Sequence, residues 1–160
     1  MKVRKKIISM LVVDTPGVLT RVTSLFGKRS YNIETLTISH TNFPNITRMT
    51  AVVSVDDDML EQMILQIKKL LEVKELKTLE FSNCIARELL LVKVAATTEA
   101  ERHEIKEISS IYNAIILELS YDNIILQMTD KESRIDSLLS ALSKFTLIEV
   151  CRTGITALDN

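Results

Sequence analysis

The stretch IISMLVVDTPGVLTRVTSLF, residues 7–26, sets the first three elements of the fold, which are a strand, a sharp turn and a helix. Residues 7–13 are apolar and partly β-branched, and this run is too short for most helices, so it predicts a buried strand. Pro16 and Gly17 end that strand. Apolar residues then recur at helical spacing and predict an amphipathic helix. They are Val18, Leu19, Val22, Leu25 and Phe26.

The residues that follow complete a first structural unit. Residues 33–39 alternate apolar and polar side chains imperfectly and predict a strand. A second strand is predicted at residues 47–55, after a polar loop at 42–45. Three aspartates at 56–58 supply an N-cap and favourable charge for a second helix. Residues 73–81 are predicted as the closing strand. The apolar stripe predicted for the second helix consists of Met59, Leu60, Met63, Ile64, Ile67, Leu70 and Leu71.

The second half of the chain repeats the order strand, helix, strand, strand, helix, strand. One helix begins at Glu99, and a hairpin turn is predicted at residues 120–123. The predicted strands are 88–96, 115–119, 124–128 and 148–158. The predicted apolar positions of the two helices are Ile105, Ile108 and Ile111, and then Ile135, Leu138, Leu139, Leu142 and Phe145.

This repeated order predicts an α+β protein of two tandem ferredoxin-like βαββαβ domains, residues 1–82 and 83–160. In each domain, both helices cover one face of a four-stranded antiparallel sheet, and the other face is left without helices. Units of about 80 residues are marginally stable alone. We therefore expect a homo-oligomer.

Composition and charge exclude several classes of protein. The chain has 20 basic and 21 acidic residues, which disfavours the basic face that sequence-independent nucleic-acid binding needs. No run approaches the roughly 18 apolar residues of a membrane helix. Asp14 and Arg21 interrupt the apolar segment that a signal peptide would need, and the two cysteines form no CxxC pair. We expect a cytoplasmic protein with reduced thiols.

Residues that commonly carry catalysis are sparse. No phosphate-binding glycine loop, GxSxG or HExxH motif is present. His103 is flanked by Glu99 and Glu107, which on a charged helix is typical of a solvated face rather than a metal site. His40 is interpreted as a surface histidine. Cys151 lies in an apolar strand and is expected to be an inert core thiol, and no catalytic residue or metal ligand is predicted.

The turn at residues 14–19 allows two interpretations. A strand ends and a helix begins within three residues, so helix N–H groups face the turn and Gly17 permits a close approach to the backbone, which suits a bound carboxylate. The simpler interpretation is a capped helix start, with Asp14 or Thr15 as the N-cap and Pro16 in the first turn. Spacing alone favours the simpler interpretation.

A family resemblance changes that balance. The segment VDTPGVLTRV, residues 13–22, resembles the ligand loop of ACT domains, which are small βαββαβ modules that bind amino acids. Five further segments follow in the order seen in the regulatory small subunit of acetolactate synthase, also called acetohydroxyacid synthase, so the resemblance spans almost the whole chain. They are LFGKRSYNIETLTI (25–38), ITRMTAVV (46–53), LEQMILQIKKLLEVKEL (60–76), RELLLVKV (87–94) and CRTGITAL (151–158).

The resemblance implies a non-catalytic subunit. Members of this family associate with a large catalytic subunit that carries thiamine diphosphate, FAD and magnesium, raise its activity, and confer feedback inhibition by a branched-chain amino acid, usually valine. No cofactor is expected in this chain. The ACT domains pair side by side in a homodimer and place effector sites at the interface, with the ligand loop from one copy and residues after the first helix from the other.

The same resemblance implies the effector site. Its residues in this sequence are Asp14, Thr15, Pro16, Gly17, Val18, Leu19, Asn32, Ile33 and, more peripherally, Gln62. The N–H groups of Gly17 and Val18 are expected to hold the effector carboxylate, and Asn32 its amino-acid head group. Asp14 stands where the family most often has Asn, and Ser30 where it usually has Gly. A carboxylate at position 14 repels the effector carboxylate and attracts its ammonium group.

Three other functions remain as alternatives. A stand-alone ACT-type sensor for another partner shares the same loop. A stand-alone enzyme needs a nucleophile with a base, which the sequence does not offer. An RNA-recognition module shares the βαββαβ order, but it needs aromatic stacking residues on its central strands, and here those strands carry Ile, Leu, Met and Thr. Because the second repeat lacks a turn like residues 14–19, effector sensing is predicted in the first domain and activation of the catalytic subunit in the second.

Overall fold

Strand β1 (Arg4–Val13) occupies the interior of the first sheet. It pairs antiparallel with β3 (Ile46–Val55) on one side and with β4 (Val73–Leu79) on the other, while β2 (Ile33–His40) pairs with β3 and forms an edge. The resulting order is β2-β3-β1-β4. The computed structural model describes residues 3–27 and 32–160 of the chain.

Two helices cover one face of this sheet, α1 (Val18–Gly27) and α2 (Asp57–Ile67). Side chains alternate along β1, so every second residue points to the helices. The buried residues packed between sheet and helices are Ile8, Met10, Val12, Val18, Val22, Phe26, Met49, Ala51, Val53, Val55, Leu60, Met63 and Ile67. This set is an aliphatic core, mostly Val, Met and Ile, with a single aromatic ring.

The second unit repeats the plan. Its elements are β5 (Cys84–Ala95), α3 (Glu99–Tyr112), β6 (Ile115–Leu119), β7 (Asn123–Asp130), α4 (Glu132–Leu142) and β8 (Leu147–Arg152). The strand order is β6-β7-β5-β8, and the strands are antiparallel. The predicted α+β fold of two ferredoxin-like units is therefore confirmed.

An ion-paired cluster ties β8 to β5 and α4 in the second unit. The guanidinium of Arg152 donates to both carboxylate oxygens of buried Glu88, each at 2.8 Å, and to Asp136 at 2.8 Å. These bonds raise the pKa of Arg152, chiefly through Glu88. Because the forked geometry satisfies both oxygens, the buried carboxylate is fully compensated.

The end of the chain returns to the first unit. Residues up to Ala86 and Ile155–Asn160 form one compact unit, and Arg87–Gly154 form the other, so the division differs from the predicted ranges 1–82 and 83–160. The reason is apolar packing on the face of the first sheet that carries no helix. There Ile155 and Ala157 lie buried against Ile7, Val52 and Leu79.

The last predicted strand, 148–158, is in fact two strands. Gly154 has φ +80° and breaks the extended chain between β8 and β9 (Thr156–Asp159), which pairs with β5. The Asp159 carboxylate accepts from Lys77 Nζ at 2.9 Å, which adds a polar contact beside the apolar ones. The first sheet is thereby partly covered on the face that the sequence predicts to be bare.

Several apolar positions behave differently from their predicted roles. Helix α2 ends at Ile67, so Leu70 and Leu71 lie in the turns before β4, and Leu71 is 89% exposed. Ile111 on α3 is also exposed. Cys151 is exposed rather than buried, because it pairs with Leu91 and so points away from the Leu90, Val92 and Val94 side that packs under the helices.

The packing of Ile155 yields a stability prediction. We expect Ile155→Ala to lower the free energy of unfolding by about 2–5 kcal/mol, because it removes a side chain that is 1% exposed from a closed apolar cluster. Leu158→Ala is the matched control, since Leu158 directly follows the buried Ala157 on β9 and is itself 57% exposed, and we expect a change within about 0.5 kcal/mol. Urea denaturation measures both. Equal effects would contradict the assignment of Ile155 to this core.

Candidate functional site

A pocket of about 310 Å³ opens beside the turn that follows β1. One side is formed by that turn and the start of α1, and the other by the end of β2. The floor comes from the end of β1 and the start of β3. Its lining residues are Val12, Asp14, Thr15, Gly17, Val18, Leu19, Ile38, Ser39, His40, Thr47 and Met49. The pocket lies at the sheet edge because β2 is an edge strand.

The turn is held in place by backbone hydrogen bonds. The Asp14 N–H donates to the Asn45 carbonyl at 2.8 Å, and the Val13 N–H donates to the Glu72 carbonyl at 2.9 Å. Gly17 has φ +82°, a left-handed conformation that residues with a Cβ rarely adopt. The strand therefore reverses into the helix within a few residues, and the helix start faces the pocket.

Neither Asp14 nor Thr15, the two predicted N-cap residues, caps helix α1, because the helix begins later in the chain. The Gly17 carbonyl accepts the first helical bond, from the Arg21 N–H at 3.0 Å, so Gly17 occupies the N-cap position. Of the two predicted carboxylate donors, the Val18 N–H already donates to the Thr15 carbonyl at 3.2 Å. Within residues 3–27 and 32–160, no backbone acceptor is bonded to the N–H groups of Gly17, Leu19 or Thr20. These three groups are available to an anion, which the helix dipole also favours.

Charged groups surround the mouth of the pocket. The Asp14 carboxylate lies 4.0 Å from Nδ1 of His40, and both side chains are at least half exposed. Arg21 lies near Gly17 but is paired with Glu72 at 2.6 Å, so its charge is already compensated. Asp14 is the acidic residue among those that line the pocket.

The interior of the pocket is apolar. Val12 and Met49 are fully buried at the floor, while Ile38 and Leu19 are each 43% exposed at the walls. A site with polar groups at its mouth and an apolar interior suits a small molecule with a charged head and an aliphatic side chain.

The structure brings together some of the predicted site residues and separates others. Asp14, Thr15, Gly17, Val18 and Leu19 line the pocket. Pro16 lies in the turn beside it without lining it. Asn32 and Ile33 lie at the opposite end of β2, and Gln62 lies on the exposed side of α2, so none of these three lines the pocket. Ser30 falls outside the described residues.

Sequence reasoning missed the β2 and β3 side of the pocket. Two of these residues could have been predicted from the sequence. Alternation along β2 places Ile38 and His40 on the same side as Leu36, which packs on the core. The pairing of Ile38 with Met49 and of His40 with Thr47 comes from the sheet register. That register brings the end of β2 next to the turn.

Neither Cys84 nor His103 has the surroundings of an activated catalytic group. Burial raises the pKa of the Cys84 thiol, which is the opposite of what a reactive thiolate needs. His103 is exposed on α3 and pairs with Glu107 at 3.3 Å, as expected for a solvated helix face. Across the described parts of the chain, no three His, Cys, Asp or Glu side chains converge as a metal site. None of the helices there is long and apolar enough to cross a membrane.

Two protein-family profiles match the chain. Residues 8–75 match "AHAS small subunit-like ACT domain", and residues 87–160 match "Small subunit of acetolactate synthase". The probable acetolactate synthase small subunit of Methanothermobacter thermautotrophicus is 41% identical over 153 residues, covering 96% of this chain and 91% of the relative. The chain belongs to the acetolactate synthase small-subunit family.

Other members of the family agree along the whole length. The acetolactate synthase small subunit of Bacillus subtilis is 36% identical, over 96% of this chain and 89% of that protein. The crystal structure of the acetolactate synthase small subunit from Thermotoga maritima superposes with a TM-score of 0.90 at 30% identity, over 98% of both chains. The pocket lies within the ACT domain of this small subunit, since every lining residue falls in the matched range 8–75.

The left-handed conformation of Gly17 yields a second prediction. We expect Gly17→Ala to lower the free energy of unfolding by about 1–2 kcal/mol, because an L-residue is strained at φ +82°. A Cβ there would meet Arg21 at an ordinary 3.6 Å, so the cost is conformational and not steric. Gly27→Ala is the control, because Gly27 ends the same helix with open space around a Cβ. Urea denaturation compares them, and a neutral Gly17→Ala would contradict the turn geometry.

Proposed function

We propose that this small subunit binds a branched-chain amino acid, most simply valine, in the pocket beside the Asp14–Leu19 turn and thereby regulates the acetolactate synthase catalytic subunit. The observation that carries the proposal is the location of the pocket inside the ACT domain of a small-subunit family member, with free helix N–H groups at its mouth. The subunit acts in branched-chain amino-acid biosynthesis, where the end product inhibits an early step.

The pocket has a partner for each part of an amino acid. The N–H groups of Gly17, Leu19 and Thr20 and the positive end of the α1 dipole suit the carboxylate. The Asp14 carboxylate suits the ammonium group. A small branched side chain fills the apolar space over Val12, Ile38 and Met49. This division assigns each charged end of the effector to a separate group of the protein.

A homodimer completes the site. The backbone edge of β2 faces away from β3, and antiparallel pairing with β2 of a second copy sets Ile33 of one copy opposite His40 of the other. Within one chain these two residues are about 23 Å apart, given about 3.3 Å per residue in a strand. Pairing of the two edges therefore supports a composite site, in which the Asn32 and Ile33 end of one copy meets the pocket of the other.

The proposed partner is the large catalytic subunit. That subunit carries thiamine diphosphate, FAD and magnesium, and this chain supplies no cofactor and no catalytic residue. The small subunit raises the activity of its partner, and the bound effector reverses that activation. Such coupling requires the effector to bind one conformational state of the complex more tightly than the other.

The second unit offers a surface for that partner. Every residue of β6 is exposed, β7 is its single neighbour among the described strands, and four of its five side chains are apolar. Proteins usually protect such edges, because an exposed apolar edge pairs readily with another chain. We assign β6 as the contact with the catalytic subunit; its apolar residues are Ile115, Ile116, Leu117 and Leu119.

Effector binding is tested by calorimetry. We expect L-valine, L-leucine or L-isoleucine to bind the purified dimer, and Gly17→Asp to weaken binding by at least about ten-fold, because a carboxylate would enter the anion-binding turn. Gly27→Ala should bind as the wild type does. Absence of binding by all three amino acids, or equal binding by Gly17→Asp, would contradict effector sensing.

Partner binding is tested by co-purification with the large subunit from the same organism. We expect Leu117→Lys to lose co-purification and stimulation of activity, yet still to bind valine. Leu158→Lys is the matched control, because Leu158 on β9 is as exposed as Leu117, at 57% against 52%. Normal assembly of Leu117→Lys would exclude β6 as the contact. A wild-type protein that binds valine but not the large subunit would point to a sensor for another partner.

A further inference from the structure

Thr47 on β3 is a polar residue of the pocket that the recognition scheme above leaves unused. It is 7% exposed and lies at the pocket floor beside Val12 and Met49. Its hydroxyl makes no hydrogen bond within residues 3–27 and 32–160. A buried hydroxyl usually has a hydrogen-bond partner, so this one is available to a ligand in the pocket. The other polar lining residues are exposed; they are Asp14, Thr15, Ser39 and His40.

The sheet register places Thr47 at the polar end of the pocket. Thr47 pairs with Val12 of β1 on one side and with His40 of β2 on the other. The Asp14 N–H bond to the Asn45 carbonyl continues the register of β1 and β3 by two residues, so Asp14 is a diagonal neighbour of Thr47. Diagonal neighbours on a sheet lie about 7–8 Å apart, so a ligand nitrogen between them can contact both side chains.

The apolar part of the pocket lies two residues farther along the same strands. Met49 and Ile38 pair with each other and point to the same side of the sheet as Thr47. An effector whose aliphatic side chain covers Met49 and Ile38 therefore places its charged head group at Thr47. The reverse orientation would cover the hydroxyl with hydrocarbon and leave it without a partner, which weakens binding. Because Asp14 repels a carboxylate at this end, the ammonium group is the part of the head group that fits.

We propose that the Thr47 hydroxyl accepts a hydrogen bond from the ammonium group of the effector, beside the Asp14 carboxylate. This inference rests on the proposed function. An ammonium group has three N–H donors, and Thr47 and Asp14 accept two of them from one copy of the chain. The proposed pairing of β2 strands sets Ile33 of the second copy opposite His40. Asn32 of the second copy then approaches from the remaining side, and its amide oxygen suits the third N–H.

Calorimetric titration with L-valine tests this role through two substitutions of Thr47. Thr47→Val keeps the shape of the side chain and removes the hydroxyl. We expect it to bind L-valine about ten-fold more weakly, because a hydrogen bond to a charged group is lost. Thr47→Ser keeps a hydroxyl and should bind within about two-fold of the wild type. Urea denaturation should find Thr47→Val at least as stable as the wild type, because the hydroxyl bonds to none of the described residues.

Thr50→Val is the matched control. Thr50 lies on the same strand, is 1% exposed and points to the opposite side of the sheet from Thr47, so this variant should bind L-valine as the wild type does. Wild-type affinity in Thr47→Val would overturn the role of Thr47 and leave effector sensing intact. Binding by Thr47→Ser that is as weak as that by Thr47→Val would do the same, because the hydroxyl would then not be the group that matters.

A crystal structure of the L-valine complex identifies which part of the ligand lies at Thr47. We expect the valine nitrogen within about 3.2 Å of Thr47 Oγ1. The valine carboxylate or isopropyl group at this position would overturn the inference, although the protein would still be an effector sensor. No binding of L-valine, L-leucine or L-isoleucine by the wild type would overturn effector sensing and this inference together.

Discussion

The pairing of β1 with β3 and β4 fixes the turn on which the pocket depends. β1 pairs with β3 along its whole length and with β4 from Ile7 to Val12, and the chain at its end is held by the Asp14 bond to Asn45 and the Val13 bond to Glu72. The register with β4 shifts between Leu11 and Val12, just before the strand ends. A bulge at this point redirects the strand without breaking the sheet. The turn can therefore hold a left-handed Gly17 at a defined place above the pocket floor.

The two faces of the first sheet are closed in different ways. The helices bury one face through residues local to the first half of the chain, whereas the other face receives Ile155 and Ala157 from the end of the chain. The unit that contains the pocket thus depends on a segment that lies beyond the whole second unit in sequence. Loss of that segment would expose Ile7, Val52 and Leu79 to water.

The strands and helices could be predicted from the sequence because apolar residues follow a clear local pattern along each of them. The strand at residues 7–13 and the helix from Val18 are examples, and both follow from local patterns. The return of Ile155 to the first sheet could not be read from any local pattern, because it is a tertiary contact between distant residues. The same holds for the approach of His40 to Asp14. Cys151 was placed in the core because its strand is apolar, and only the register with Leu91 reveals that it faces outward.

The starts of α1 and α3 differ in how their backbone N–H groups are satisfied, which supports the proposed placement of effector binding in the first unit. At α3, Thr98 accepts from the Glu101 N–H, and the Glu101 carboxylate accepts from the N–H groups of Thr97 and Thr98, so a capping box satisfies these donors internally. Glu99 and Glu101 also place negative charge in that first turn. At α1, the first turn has no acidic residue, and Gly17 has no side chain to cap it. The N–H groups of Gly17 and Thr20 at the start of α1 have no such acceptor among the described residues, whereas the corresponding N–H groups of Thr98 and Glu101 at α3 are bonded within the capping box. A fold that occurs twice in one chain thereby keeps a helix start without a side-chain cap in one copy and a capped, acidic helix start in the other.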